Sequence, residues 1–178
     1  MGEGGERSEP GEGSRLAGLR RSFADGMTNR EIRRRLKTAL ASFVTKESEL
    51  LERNAGEPAI ATALVRYLAA VFPHHDVDPQ YNRHGRDRKS LNLPPVCRGG
   101  GRRKVIPDIV IHRRDTDDSN LLVIEIKKET NPESRACDRA KLRAMREQLG
   151  YQAGVLLDVP PCRAGSERPE DEGRVDES

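Results

Sequence analysis

Two apolar runs of strand length in the middle of the chain constrain its fold most. Residues 104–112 (KVIPDIVIH) and 120–127 (NLLVIEIK) are rich in β-branched side chains, and a similar run (AGVLLDV) occupies 153–159. Such side chains pack well on pleated backbone. We therefore predict a strand at each run, and a shorter strand at 77–83.

Three segments have the helical spacing of apolar residues. A capping box at Thr28 and Glu31 begins the first segment, whose apolar stripe is Ile32, Leu36, Ala39, Leu40, Phe43 and Val44. The second helix is predicted at 58–72. The third is predicted at 131–149, with Asn131 as its N-cap and Gly150 as its stop.

The order of these segments predicts an α/β fold with a mixed sheet. The strands on either side of the third helix are expected to be parallel. A single domain at 27–160 contains all the periodic sequence. Residues 1–26 are rich in Gly, Glu, Arg and Ser, and residues 161–178 are acidic, so both are predicted to be disordered tails.

Composition excludes several classes of protein. No apolar run approaches the ~20 residues of a membrane span, and the N-terminus lacks the apolar region of a secretory signal. A cytoplasmic protein without a membrane partner is therefore expected. The cysteines, Cys97, Cys137 and Cys162, are odd in number and far apart, which argues against a disulfide framework or a zinc knuckle.

Charged residues lie inside two of the apolar runs. Alternation along a strand puts Glu125 and Lys127 on one face, and Asp108 shares its face with Ile106, Val110 and His112. Burying an unpaired carboxylate costs several kcal/mol, and two carboxylates at ~4 Å repel by about 4 kcal/mol at an effective dielectric of 20. A divalent cation would offset both costs.

This pattern has a chemical use. Mg²⁺ binds one or two carboxylates and completes its shell with water and phosphate oxygens, so Asp108, Glu125 and Lys127 suit attack on a phosphodiester. Pro107 is expected to mark a bulge that re-aims Asp108. The alternative is that the three charges form a buried structural ion pair. Asp138 and Lys141 are predicted to form an intrahelical salt bridge, with a role for Lys141 at the edge of the site as the alternative.

Pro107-Asp108 followed by Glu125-Ile126-Lys127 resembles the PD-(D/E)xK motif of restriction-endonuclease-like nucleases. The resemblance covers about 56–158. It implies an αβββαβ core, with a mixed sheet flanked by helices and an extra N-terminal helix. It also implies a magnesium- or manganese-dependent endonuclease that hydrolyses phosphodiester bonds in DNA.

The resemblance assigns roles to single residues. Asp108, Glu125 and the backbone carbonyl of Ile126 would be metal ligands, and Lys127 would orient water or stabilise charge. Glu57 matches an additional acid from the first core helix, although it could simply favour that helix N-terminus. Some members of the family have lost catalysis, so a catalytically silent nucleic-acid-binding or interaction module is the alternative function.

The connection at 83–104 is strongly basic. Its predicted contacts to backbone phosphates come from Arg83, Arg86, Arg88, Lys89, Arg102, Arg103 and Lys104. Because it contains three consecutive glycines, this connection is expected to be a mobile loop. The third helix adds a weaker arginine stripe, and both features could be solvated surface. DNA is the favoured partner, and sequence-specific cutting of duplex would require a homodimer or a partner protein.

Overall fold

The protein was analysed as a computed structural model that describes Met1 and residues 27–114, 116, 119–132 and 134–160. The two predicted tails, apart from Met1, lie outside the described residues. The helices are α1 (Asn29–Lys46), α2 (Ser48–Glu52), α3 (Glu57–Val71) and α4 (Ala136–Leu149). The strands are β1 (Asp76–Pro79), β2 (Arg83–His84), β3 (Asp87–Arg88), β4 (Ser90–Leu93), β5 (Gly101–Lys104), β6 (Ile109–His112), β7 (Leu122–Lys128) and β8 (Ala153–Val159).

Four of these strands form a mixed sheet in the order β1-β6-β7-β8. The β1–β6 and β6–β7 pairs are antiparallel, and β7 runs parallel to β8. Helix α4 connects the two parallel strands, as the sequence predicts. The prediction of an α/β fold with a mixed sheet is confirmed.

Helices α1 and α3 cover one face of the sheet with aliphatic side chains. The Thr28 hydroxyl oxygen accepts the Glu31 backbone N–H at 3.2 Å, so the predicted cap of α1 is present. The buried stripe of α1 is Ile32, Leu36, Ala39 and Phe43. Val44 was predicted to belong to this stripe, but more than half of its surface is exposed.

Helix α4 covers the opposite face. It begins at Ala136, five residues later than the predicted N-cap Asn131. The prediction of this start is wrong: Arg135 is the residue before the helix, and Asn131 lies outside it, where its side-chain amide donates to Glu57 Oε1 at 3.2 Å. The predicted stop is confirmed, since Gly150 ends the helix with φ of 70°, a conformation that favours glycine.

The predicted strand at 104–112 is formed only in its second half, because residues 105–108 are irregular. Strand β5 ends at Lys104 and β6 begins at Ile109, so Pro107 lies between strands and not at a bulge within one. Ile106, predicted to share a face with Asp108, is outside the strands and largely exposed. The predicted strand at 77–83 also ends early, at Pro79, before Gln80 adopts φ of 50°.

The basic connection at 83–104 is ordered as two hairpins and is not a long mobile loop. Strand β2 pairs with β3, and β4 pairs with β5, each antiparallel. The β4–β5 hairpin lies along α4, where Asn92 exchanges two backbone hydrogen bonds with the Gln148 amide. Its turn is joined to the first turn of α4 by a disulfide between Cys97 and Cys137. The sequence argued against a disulfide framework, and this single bond between distant cysteines was not predicted.

Candidate active site

Asp108 lies at the point where β6 begins. Its Oδ2 atom accepts the backbone N–H of Ile126 at 2.7 Å, which connects it to the neighbouring strand. Ile109 pairs with Ile124 in the antiparallel ladder, so one further step along this register places Asp108 beside Glu125. The structure thus brings together the two carboxylates that the sequence predicts to converge.

Glu125 is buried on the face of β7 that packs against α4, with 6% of its surface exposed. Its Oε2 atom lies 3.6 Å from the Lys141 ammonium. Its Oε1 atom is buried and has no hydrogen-bond partner among the described residues. A buried acceptor without a partner is uncommon, and this one lies beside a second carboxylate.

The Lys127 ammonium is placed differently from the prediction. It lies 3.6 Å from Asp138 Oδ2 on helix α4. Lys141 lies 2.9 Å from Asp138 Oδ1, which confirms the predicted intrahelical pair. Asp138 therefore faces two lysines, and Lys141 bridges Asp138 and Glu125. The lysine that contacts the glutamate comes from α4 and not from the Glu125-Ile126-Lys127 motif.

Burial governs the protonation of the carboxylates. Desolvation raises the pKa of Glu125 to about 7, and the nearby charges of Asp108 and Asp138 add to this while Lys141 opposes it. Desolvation also raises the pKa of Asp108; the Ile126 N–H opposes the rise and Glu57 reinforces it. For Lys141, burial works to lower the pKa, but the Glu125 and Asp138 carboxylates outweigh it and raise the pKa.

Glu57 points toward the sheet, as its helical face predicts. Its Oε1 atom accepts the backbone N–H of Lys128 at 3.0 Å and the Asn131 amide at 3.2 Å. This carboxylate therefore ties the N-terminus of α3 to the end of β7. It lies close enough to Asp108 to influence the pKa of that residue.

The described residues fit a two-carboxylate metal site better than a three-carboxylate one. No group of three His, Cys, Asp or Glu side chains among them is arranged to hold a metal ion. Asp108 and Glu125 are adjacent and desolvated, and the pKa of each is raised although Lys141 opposes the rise. Glu125 Oε1 has no hydrogen-bond donor among the described residues. Mg²⁺ needs only one or two carboxylates from a protein, so these residues suit it.

A cleft of about 540 Å³ opens beside this cluster. Helix α4 forms one wall and the β4–β5 hairpin with the segment after it forms the other. Its charged lining residues are Arg98, Arg103, Lys104, Lys127, Lys141 and Asp138. Five cations against one anion make the cleft electropositive. Asp108 and Glu125 do not line it, but Lys141, which lies 3.6 Å from Glu125, does.

The predicted nucleic-acid-binding residues fall into two groups. Six of them have exposed side chains on the hairpins, namely Arg83, Arg86, Arg88, Arg102, Arg103 and Lys104. Lys89 is different, since only 2% of its surface is exposed and its ammonium donates to the carbonyls of Tyr81 and Arg83. The prediction that Lys89 contacts phosphate is therefore wrong; it packs over the Tyr81 ring as a structural cation.

Sequence reasoning missed Asp138 as a member of the cluster. The signal available was its spacing of three from Lys141, which indicates only a pair on one helix. Nothing in the sequence shows that this pair would face Glu125 and Lys127 across the helix–sheet contact.

No protein-family model, curated protein or solved structure matches this chain. Within the described part of the chain, no helix has the length and apolar character needed to cross a membrane. The function must therefore be argued from the site itself.

Proposed function

We propose that this chain is a metal-dependent nuclease that hydrolyses phosphodiester bonds in DNA. The observation that carries the proposal is the pair of desolvated carboxylates, Asp108 and Glu125, at adjoining positions beside the β6–β7 ladder. Lys141 contacts Glu125 and lines a cleft with four other cations. Cations at the cleft attract a phosphate backbone, and the two carboxylates suit a metal ion that acts on phosphate.

The arrangement of the elements supports a restriction-endonuclease-like αβββαβ core. Along the chain, the core elements come in the order α3, β1, β6, β7, α4 and β8. The four strands adjoin in the sheet in the same order. Helix α1 precedes them as the extra N-terminal helix. The two hairpins are insertions between the first and second strands of this core.

Asp108, Glu125 and the backbone carbonyl of Ile126 would hold Mg²⁺ or Mn²⁺. When bound, the ion supplies a polarised phosphoryl oxygen and a water of lowered pKa. Lys141, held between Glu125 and Asp138, neutralises part of the charge of the carboxylate pair. Lys127 lines the same cleft and places a positive charge where a phosphate would enter. Glu57 fixes the end of β7 through the Lys128 N–H.

The test is cleavage of supercoiled plasmid DNA by the purified chain with Mg²⁺, with Mn²⁺ and with a chelator. Asp108→Asn and Glu125→Gln should lower the rate at least about 100-fold, because even residues that only support metal ligands change activity by 10–100-fold. Lys127→Ala should also lower it. Glu52→Gln, an exposed carboxylate on α2, is the matched control and should cleave like the wild type. Equal rates in all variants, or a rate unaffected by the chelator, would refute the proposal.

A catalytically silent DNA-binding module of the same fold is the second candidate. The absence of a three-ligand group among the described side chains favours it. It predicts DNA binding that weakens with salt, no cleavage, and no heat on titration with Mg²⁺. Calorimetric titration of Mg²⁺ into the wild type and Glu125→Gln separates the two, since only a metal site gives binding that the variant loses.

A further inference from the structure

Two exposed apolar side chains border the electropositive cleft. Val96 is 53% exposed and Ile106 is 59% exposed, and both line the cleft. Among the described residues the other large apolar side chains that are this exposed are Met1 and Val44. The cleft therefore offers apolar contacts beside its row of cations.

The wall that carries Val96 is held in place at both ends. The disulfide from Cys97 to Cys137 ties the turn to helix α4, and Asn92 with Gln148 ties the base of the hairpin to the end of the same helix. Gly100 has φ of +74°, and a Cβ there would approach the Leu93 carbonyl oxygen to 2.8 Å. The turn is therefore tightly packed, and it holds this wall of the cleft in place.

We propose that this cleft binds an unpaired DNA strand, with the phosphates on its cations and base faces against Val96 and Ile106. Binding of single strands commonly combines a basic groove with aromatic side chains that stack on bases. Apolar side chains also sandwich unstacked bases in enzymes that act on them, and Val96 and Ile106 would take this second role. In a duplex the base faces are stacked on one another, so Val96 and Ile106 would have no partner there.

The size of the cleft agrees with this choice. At about 540 Å³ it falls within the roughly 300–1,000 Å³ range of small-ligand sites. Such a space takes a short stretch of one strand. The inference rests on the proposed nuclease function only for the position of the reacting phosphate, which the Asp108–Glu125 pair would define.

The test is fluorescence anisotropy with a labelled oligothymidylate of ~12 nucleotides, near the size of a single-strand site, and with the matching duplex. Measurements are made with the full chain in chelator, so that no cleavage occurs. The single strand should bind about tenfold more tightly than the duplex, in line with the contribution of base contacts. Equal or tighter binding of the duplex, no binding of either, or tighter binding of an RNA strand of the same sequence would overturn the proposal.

Paired substitutions test the surface itself. Val96→Ser combined with Ile106→Thr should weaken single-strand binding about fivefold and leave duplex binding within about twofold. Val44→Ser is the matched control, because Val44 is 55% exposed on α1, which packs on the opposite face of the sheet. An unchanged single-strand affinity in the double variant would exclude this surface.

The same two measurements distinguish the inference from the proposed function. If the protein binds single strands in chelator but cleaves nothing with Mg²⁺, the nuclease proposal fails and the binding surface stands. If it cleaves plasmid but prefers duplex, the binding surface fails and the nuclease stands.

Discussion

The two faces of the central sheet differ although the same strands build both. The face toward α1 and α3 is uniformly aliphatic, with Ile109, Ile111, Leu122, Ile124 and Ile126 in one apolar cluster. The face toward α4 begins with Val110 and Val123 but ends with Glu125 and Lys127. Burial is nearly complete on both, so the difference is chemical.

Buried charge occurs at two places in the sheet. Asp138 and Lys141 on α4 lie across from Lys127 and Glu125, whereas Asp78 on β1 pairs with His112 and Arg114. The buried residues of α1 and α3 are apolar, although Glu57 of α3 reaches the end of β7. The aliphatic face therefore stabilises the fold by apolar burial, whereas the charged end of the other face carries the desolvation cost of its buried charges. Substitutions on adjoining residues of β7 can separate these roles.

The largest effect on stability is expected on the aliphatic face. Ile124→Ala should lower the free energy of unfolding by about 2–5 kcal/mol, because Ile124 is fully buried and the truncation leaves a cavity. Urea denaturation followed by circular dichroism measures it. Val44→Ala, on exposed surface, should change it by less than about 0.5 kcal/mol. A similar small loss for Ile124→Ala would mean that the two helices do not depend on this contact.

The charged face should make stability depend on pH. The folded pKa of Glu125 is about 7 against a usual value of 4.5, so between these values the folded state keeps a proton that the unfolded state has released. The contribution is complete below pH 4.5 and is lost as pH rises through 7, by at most about 3 kcal/mol. Without divalent cations, the wild type should unfold more readily at pH 8 than at pH 5.

The control for this pH dependence is Glu125→Gln, which cannot titrate at that position. The difference between wild type and variant should grow from pH 5 to pH 8, with the variant gaining relative stability. Saturating Mg²⁺ at pH 8 should restore stability to the wild type alone, since a bound ion stabilises only the folded state. A wild type and variant with parallel pH profiles would show that Glu125 is ionised normally.

A smaller loss is expected when the counter-charge on α4 is removed. Asp138→Asn keeps the shape of the side chain but leaves Lys127 and Lys141 facing a neutral amide, at a cost of about 1–3 kcal/mol. Because the Asp138 charge helps to raise the pKa of Glu125, the pH dependence above should shift toward lower pH. Asp158→Asn, which disrupts a more exposed pair with Arg135, should cost less than about 1 kcal/mol. Equal costs for the two variants would argue against a buried cluster.

Local patterns in the sequence predicted much of this arrangement. Alternation along β7 puts Glu125 and Lys127 on the same face, and Gly150 marks the end of α4, because both features depend on the backbone alone. The convergence of Asp108 and Glu125 was also predicted, from their places in two apolar runs that follow each other along the chain, and the observed register agrees with it.

Several of the errors concern partners distant in sequence. The identity of the lysine beside Glu125 depends on how α4 packs on the sheet, and the Cys97–Cys137 bond depends on a hairpin lying along that helix. Lys89 was misassigned because its acceptors, the carbonyls of Tyr81 and Arg83, converge only after the β2–β3 hairpin forms. Composition and spacing carry no information about such contacts.

The smallest expected effect concerns Glu57. It decides whether this residue binds a metal ion or only holds the end of β7 in place. Glu57→Gln keeps an oxygen that can accept the Lys128 N–H and the Asn131 amide, so stability should stay within about 0.5 kcal/mol of the wild type. Glu57→Ala leaves that N–H without its acceptor and should cost about 1 kcal/mol.

If Glu57 only holds the end of β7, the Gln variant cleaves at nearly the wild-type rate. In Glu57→Gln, the Asp108 carboxyl should ionise at a slightly lower pH than in the wild type, because the Glu57 charge helps to raise the pKa of Asp108. Cleavage lost in Glu57→Gln to the same degree as in Asp108→Asn would instead make Glu57 a third metal ligand, and the comparison of the two faces would then have to include a charge contributed by α3.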